Sequence, residues 1–413
     1  MIAQNDKLQT LAEHVLFSKM DFVCRAPKMS ELKLNDIAEH SIAYVEGICR
    51  IVQNRFGNDW SVFARFLGFG EDQVEQMALF SQTPSSQMFM RVDIGESDSG
   101  SAMLELNAGS SVGGLGYSIA HRVYHNTDGN DPLSCWAKWL GQYIDGETVQ
   151  NQACIAIVED ASIFDKMAPT MTLMADELNR HGVNAIICAQ DELKLDGDCL
   201  RVGEQVISHL YCLFDVLDIE QDRAGYQPLL DAYGNKQVYL PMGFEARLLG
   251  NKLCMALVHD DQYADCFETA TLIRLRHFIP RTLRVDGDVA FELLQQPTQW
   301  VLKPAHGYGG IDVICGWEVD AEQWQSDLER IVKQDLNYIA QHRMTLPVHP
   351  VEVFSVAEQN QCSFEAKCLQ GIYVMGGRCG GGVWRVNEKS KSDIINNSQG
   401  AVAGNIEVEG GQS

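Results

Sequence analysis

The sequence predicts a mixed α/β fold of the α+β kind, with an open sheet near its middle and β-hairpins on either side, and three observations predict it. Residues 153–159 and 183–189 are largely apolar runs flanking a helical pattern from Pro169 to Arg180, which is a β-α-β unit whose strands are parallel and buried on both faces. The stretches Met88 to Asn107 and Trp300 to Gly316 each place two strand-like runs on either side of turn-forming residues, as hairpins do. The first 85 residues instead space their apolar side chains for helices.

In that N-terminal stretch Leu8, Leu11, Val15 and Leu16 fit one helical face, and Ile42, Val45, Ile48 and Ile51 fit another. Residues 1–85 therefore read as a helical scaffold without a usable motif. From Met88 the period becomes two. Met90, Val92 and Ile94 alternate with Arg91 and Asp93, and a turn from Gly95 to Ser101 leads into Met103–Asn107. Side chains on a strand alternate faces, so Arg91 and Asp93 share a face, as do Glu105 and Asn107. The register that buries Val92, Leu104 and Leu106 brings all four polar groups to one side. Two carboxylates and an amide are hard oxygen donors of the type Mg²⁺ takes. The same alternation also describes an ordinary amphipathic hairpin with a solvated face.

Ser110 to Gly116 follows as a small-residue loop able to lie against a substrate. His121 and His125 have metal-ligand spacing on a helix, but no Glu completes a His-Glu-x-x-His motif. Val206 to Val216 supplies a further apolar run for the central sheet. Gly234-Asn235 reads as a turn, and Leu248 to Val258 as a helix carrying the lone cation Lys252 among apolar neighbours.

Between Trp300 and Gly316, Trp300 to Leu302 and Ile311 to Ile314 form two short strands around a tip from Pro304 to Gly310. Gly307, Gly309 and Gly310 permit positive φ and bring backbone N–H groups close to an anion, and Lys303 ends the first strand beside them. No Gly-Lys-Ser/Thr follows, so a phosphate lid on a hairpin fits better than a P-loop; the bland alternative is a plain turn. Glu318 to Lys333 reads as an amphipathic helix and Tyr338 to Gln341 as a strand. Residues 363–375 and 383–386 are further strands, separated by Gly376-Gly377 and Gly380 to Gly382, with Arg385 beyond the glycines. The Gly- and Glu-rich residues 399–413 read as a mobile tail.

With 32 Lys and Arg against 56 Asp and Glu, the net charge of −24 argues against nucleic-acid and anionic-membrane partners, which need basic surface. Thirteen cysteines without a C-x-x-C pair suggest neither a zinc ribbon nor a redox motif, and read as reduced thiols. No basic, apolar leader opens the sequence and no run approaches the ~18 apolar residues of a membrane span, so a cytoplasmic protein is expected.

Taken together, Arg91-x-Asp93, Glu105-x-Asn107, Asn251-Lys252, Lys303-Pro304 with its Gly-rich loop, Tyr338-Ile-x-Gln341 and the glycines before Arg385 occur in an order that resembles the synthetase domain of glutathionylspermidine synthase and its relatives, the circularly permuted ATP-grasp ligases. The likeness spans roughly residues 86–405; each motif is short, and their joint order makes it specific. In ordinary ATP-grasp enzymes the Glu-x-Asn strand follows the phosphate loop, whereas here it precedes it. The resemblance implies an ATP-grasp fold with permuted motif order and nucleotide held between two subdomains. It divides the chain into the scaffold (1–85), the metal-binding hairpin and start of the core (86–150), an α/β subdomain with an open sheet (151–250), the lid and nucleotide-binding region (251–398) and the tail (399–413).

By the same resemblance, Asp93, Glu105 and Asn107 hold Mg²⁺ against the phosphates of ATP, and Arg91 and Arg385 act on the transferred phosphoryl group or the acyl intermediate. Lys252 and Lys303 bind the α- and β-phosphates, Gly307, Tyr308, Gly309 and Gly310 close over them, and Gln341 lies at the hinge that receives adenine. The implied activity is an ATP-dependent carboxylate–amine ligase that forms an amide through an acyl phosphate and releases ADP and phosphate. Its partners are small-molecule or peptide carboxylate and amine substrates, with a homodimer allowed. Where the synthases continue Asn-Ala-Asp-Thr-Pro this chain reads Asn107-Ala-Gly-Ser-Ser, and Arg91 already falls within the ligase region, so no amidase domain of the bifunctional enzymes is expected before it; both points turn the expectation away from glutathione and spermidine themselves. Two other readings remain at this stage: an ATP-grasp small-molecule kinase and a non-catalytic nucleotide-binding regulatory protein.

Overall fold

The computed structural model describes residues 11, 16–79, 84–97, 100–127, 129–146, 154–307, 309–390, 394–396 and 400–409. The helix Glu31–Arg55 illustrates how local signals build the N-terminal part. Ser30 caps it by accepting from the Lys33 N–H, and Glu31 in the first turn and Arg55 in the last suit the helix dipole. Leu34, Ile37, Val45, Ile48 and Val52 bury one stripe of it against the largest sheet.

The strands β1 (Asp21–Arg25) and β2 (Met29–Ser30) precede that helix, and β3 (Met90–Ser97) and β4 (Gly100–Ala108) follow it. The middle of the chain holds β5 (Cys154–Glu159), β6 (Asn184–Ala189), β7 (Lys194–Asp196), β8 (Cys199–Val202), β9 (Gln205–Ile207) and β10 (His209–Cys212). Then come β11 (Thr282–Arg284), β12 (Trp300–Pro304), β13 (Ile314–Cys315) and β14 (Tyr338–His342). The last are β15 (Val348–Ser355), β16 (Asn360–Met375), β17 (Arg378–Glu388), β18 (Val402–Asn405) and β19 (Val408–Glu409).

Three sheets matter for the site. The main one has the order β15-β1-β18-β17-β16-β3-β4. The long β16 pairs with β15 through its first half and with β17 through its second, so five strands close on themselves, and β3 and β4 continue outward from β16. The expected β-α-β unit is present: β5 and β6 are parallel, the helix Phe164–Arg180 connects them, and all six residues of β5 are buried. Of the apolar run 206–216, β10 lies parallel to β5 on its other side. A four-stranded antiparallel sheet, β11-β14-β12-β13, carries the glycine-rich hairpin. The amphipathic helix Ala321–Lys333 covers it, burying Trp324, Leu328 and Ile331 against Trp300, Leu302 and Tyr338 in a core of its own. This lid sheet is thus a separately packed layer facing the main sheet across a cleft.

Four expectations are corrected. The N-terminal region is not only helical: β1 is a strand of the main sheet, antiparallel to β15 and parallel to β18. Residues 402–405, read as part of a mobile tail, are β18, lying between β17 and β1. Their small side chains serve close packing, since a Cβ on Gly404 would stand 2.1 Å from the Val23 carbonyl oxygen. Residues 399 and 410–413 lie outside the described residues. Leu104 does not join the core, because the β3–β4 register shifts between Asp93 and Ile94, and Met103 is buried in its place. The helix expected over 248–258 is broken at Asn251 into a 3-10 turn, Phe244–Gly250, and a short helix, Leu253–His259, with Lys252 at the start of the latter. No helix among the described residues is long and apolar enough to cross a membrane.

Candidate functional site

Pairing of β3 with β4 sets Arg91 opposite Asn107 and Asp93 opposite Glu105, so these four share one face as the alternation requires. On the other side of β3, Asp93 faces Gly371 of β16, and Gly371 pairs with Val383 of β17, two residues from Arg385. Strands two apart are separated by roughly 9–10 Å. Asp93 and Arg385 can meet over β16 because the residue between them has no side chain. Their Oδ2 and Nη2 atoms lie 2.6 Å apart. A Cβ at Gly371 would come within 2.8 Å of Arg91 Cδ and 3.1 Å of its Nε.

Asp93 is the centre of this cluster. Its Oδ1 accepts from Arg91 Nε at 2.9 Å, and its Oδ2 accepts from Asn107 Nδ2 at 3.1 Å and faces Arg385. Burial pushes the carboxyl up, but the guanidiniums of Arg385 and Arg91 outweigh it and hold Asp93 below the usual carboxylate range. Burial disfavours the charge of Arg91, and Asp93 more than restores it. Arg91 Nη1 also donates to the Gly113 carbonyl at 2.9 Å, as does Tyr373 Oη, which ties the Ser110–Gly116 loop to the site. Arg385 Nε is buried without a hydrogen-bond partner among the described residues.

The two lysines arrive from different elements. Lys252 pairs with Glu105 at 3.0 Å and donates to the Gly307 carbonyl at 2.9 Å, so it links the metal-strand candidate to the glycine-rich loop. It does not snorkel at a surface: it is 6% exposed. Lys303 donates to Gln341 Oε1 at 2.6 Å and to the Leu104 carbonyl at 3.3 Å, the latter presented by the bulge in β4. Burial brings its ammonium down to about 8; Glu105 opposes this and Lys252 adds to it. Gly309 and Gly310 have φ of 75° and 71°, as the loop reading required, whereas Gly307 is not in the positive-φ region. Tyr308 lies outside the described residues.

Two cavities meet at this cluster. One lies between the sheets; its charged wall comprises Asp93, Glu105, Lys252, Lys303 and Arg385, and its apolar wall includes Val301, Ile311, Trp317, Met344, Leu346 and Ile395. The other shares Asp93, Glu105, Arg385 and Asn396 with the first and continues past Arg91, Asn107, Ser111 and Gly113 to Glu159, Asp215, Asp218 and Arg247.

Sequence reasoning did not single out Glu159, Asp215, Asp218 or Arg247. Glu159 is the last residue of β5, and Asp215 lies three residues past the end of β10 and caps the next helix. Ligands of parallel sheets gather at the carboxyl ends of the strands, so a carboxylate straight after an apolar run was the available signal. Arg247 is ion-paired with Asp215 and donates to Ser111 Oγ at 3.0 Å and to the Phe214 carbonyl at 3.2 Å. Burial pushes the carboxyls of both Glu159 and Asp218 up, with neighbouring carboxylates adding to it.

Asp93, Glu105 and Asn107 offer the oxygen chemistry that Mg²⁺ takes. The donor types fit; Asp93 Oδ2 accepts from Arg91 Nη2 and Asn107 Nδ2 and is ion-paired with Arg385, and Glu105 is ion-paired with Lys252. Among the described residues no group of three or more His, Cys, Asp and Glu side chains is arranged to hold a metal ion. The rings of His121 and His125 lie 4.4 Å apart, tilted by 40°, and line neither cavity.

No protein-family model matches the chain, and no curated protein matches it. Among solved structures, the fold is similar to that of a glutathione synthetase-like effector from Globodera pallida in its apo form, with a TM-score of 0.63 and 11% sequence identity over 98% of this chain and 96% of that one. At that identity the likeness is one of fold. A protein from Methylobacillus flagellatus assigned as a gamma-glutamylcysteine synthetase aligns over 95% of this chain and 90% of its own at 11% identity, with a TM-score of 0.43, too low to argue from.

Proposed function

We propose that this protein is an ATP-dependent carboxylate–amine ligase of the circularly permuted ATP-grasp type, with ATP in the cavity between the sheets and the substrates in the adjoining one. One observation carries the reading. The cluster of Asp93, Glu105 and Arg385 stands in the wall common to both cavities, where a phosphoryl group leaving an occupant of one would reach an occupant of the other. The glutathione synthetase-like fold supports a ligase without establishing it.

On this reading a substrate carboxylate oxygen forms a bond to the γ-phosphorus, the bond to ADP breaks, and the product is an acyl phosphate. The substrate amine then attacks the acyl carbon, phosphate departs, and the amine proton is lost as the amide forms. Lys303 and Lys252 neutralise the phosphate chain. Arg91 and Arg385, held side by side by Asp93, receive the transferred group, since phosphoryl transfer depends on positioning and charge neutralisation. Glu105, Asn107 and Asp93 would hold Mg²⁺, which supplies further neutralisation of the phosphates. Glu159 and Asp218 suit an amine in the second cavity, and the loop from Gly307 to Gly310 would close over the intermediate and keep water from it.

Titration calorimetry with a non-hydrolysable ATP analogue, with and without Mg²⁺, tests the reading against Glu105→Ala and Lys303→Ala. Mg²⁺-dependent binding that both changes weaken is expected. Carboxylate and amine pairs are then screened for ADP release: free phosphate with an amide marks a ligase, a stable phosphate ester a kinase. A wild type indifferent to nucleotide under every condition would remove the basis of the proposal.

A further inference from the structure

Gln341 lies in β14, the inner strand of the lid sheet, opposite Val301 of β12 and opposite Thr282 of β11. Lys303 is two residues beyond Val301, so Thr282, Gln341 and Lys303 form a row on one face, the last two as diagonal neighbours. The row is buried, with Gln341 1% and Thr282 0% exposed. Its hydrogen bonds have only one sense. The Thr282 hydroxyl donates its proton to the Pro280 carbonyl at 2.7 Å, so toward Gln341 it can only accept, and Gln341 Nε2 donates to it at 3.2 Å. The second Nε2 proton faces Met255 Sδ at 3.8 Å. Gln341 Oε1 is thereby turned to Lys303 Nζ, 2.6 Å away. Both amide protons are used, which leaves no donor for a purine, and Lys303 occupies one lone pair of the oxygen.

We infer that Gln341 is a positioning residue: backed by Thr282, it aims the Lys303 ammonium at the phosphates and reads no part of the base. The inference rests on the nucleotide reading proposed above and changes the role of this residue from hinge contact to support for a phosphate-binding lysine. Burial makes the support necessary, because an ammonium out of water needs acceptors, and among the described residues Lys303 donates to this one and the Leu104 carbonyl alone. A tetrahedral ammonium with two fixed acceptors keeps one N–H direction, toward the cavity.

The test is a ladder of ligands, adenosine, ADP and ATP, titrated into wild type, Gln341→Met, Thr282→Val, Lys303→Met and the Gln341→Met/Lys303→Met double variant. The expected result is ADP and ATP binding weakened about tenfold or more in Gln341→Met. Thr282→Val should fall the same way by less, adenosine binding should be unchanged, and the double variant should lose little beyond Lys303→Met alone. Loss of adenosine affinity by the same factor as ATP, or additive losses in the double variant, would overturn the inference while leaving the nucleotide reading intact. A wild type that binds none of the three would overturn both. Thermal unfolding identifies a variant that has not folded; if Gln341→Met is one, Thr282→Val carries the same comparison.

Discussion

Asp93→Asn removes the one full negative charge that two guanidiniums share. The side chains of Asp93, Arg385 and Arg91 are 5%, 8% and 14% exposed, so solvent cannot replace what is lost. Removing one partner of a buried ion pair costs roughly 3–5 kcal/mol. The amide retains one acceptor oxygen for one arginine, which places the expectation near the lower end, about 3 kcal/mol. Urea unfolding followed by tryptophan fluorescence at pH 7 reads this directly, and pH gives the sign. The folded carboxyl titrates below its ordinary value of 3.8, so its stabilisation is complete above about pH 4 and is lost as pH falls through the folded value. The gap between wild type and variant should therefore close on acidification below pH 4. An anion should also stabilise the variant more than the wild type, because phosphate oxygens meet guanidiniums no longer neutralised. A gap under about 1 kcal/mol at pH 7, or one that persists unchanged well below pH 4, would refute the claim that Asp93 clamps the two arginines.

Gly371→Ala should displace Arg91, whose Cδ would stand 2.8 Å from the new methyl; the expected cost is about 1–3 kcal/mol of stability with a loss of ATP-analogue affinity, read by denaturation and calorimetry. Unaltered binding would mean that Arg91 does not contact the ligand. Binding of an ATP analogue near pH 8 should take up a fraction of a proton, because burial holds the free Lys303 at about 8 and a bound phosphate pulls it upward. Affinity then falls as pH rises above 8. Calorimetry in buffers of different ionisation enthalpy measures the uptake, which Lys303→Met should abolish.

Much of the scaffold was legible in the sequence because the signals are local. The β-α-β unit, the β3–β4 alternation and the hairpin around Lys303 are each written in a period or a turn that a dozen residues suffice to show. Other features depend on pairing between distant strands. Small residues at 402–405 look the same whether they are a free tail or, as here, a strand pressed against Val23. The bulge that removes Leu104 from the core and turns its carbonyl to Lys303 is invisible to strict alternation, which places Leu104 on the same face as Leu106. Glu159 and Asp215 read as ordinary surface carboxylates until β5 and β10 are adjacent with their carboxyl ends at a cavity.

By itself the sequence determined that Arg91, Asp93, Glu105 and Asn107 share one face, since the two-residue period of an extended chain is a covalent property. It also determined the order in which those groups, Lys252, Lys303 and Arg385 are encountered. Only the tertiary structure decided that Arg385 reaches Asp93 across Gly371, that Lys252 joins Glu105 to the loop, and that the Gln341 amide is spent on Lys303. The first and last of those contacts follow from the strand orders β17-β16-β3 and β11-β14-β12. Strand order is settled by how the whole chain buries its apolar faces, and no local stretch records it.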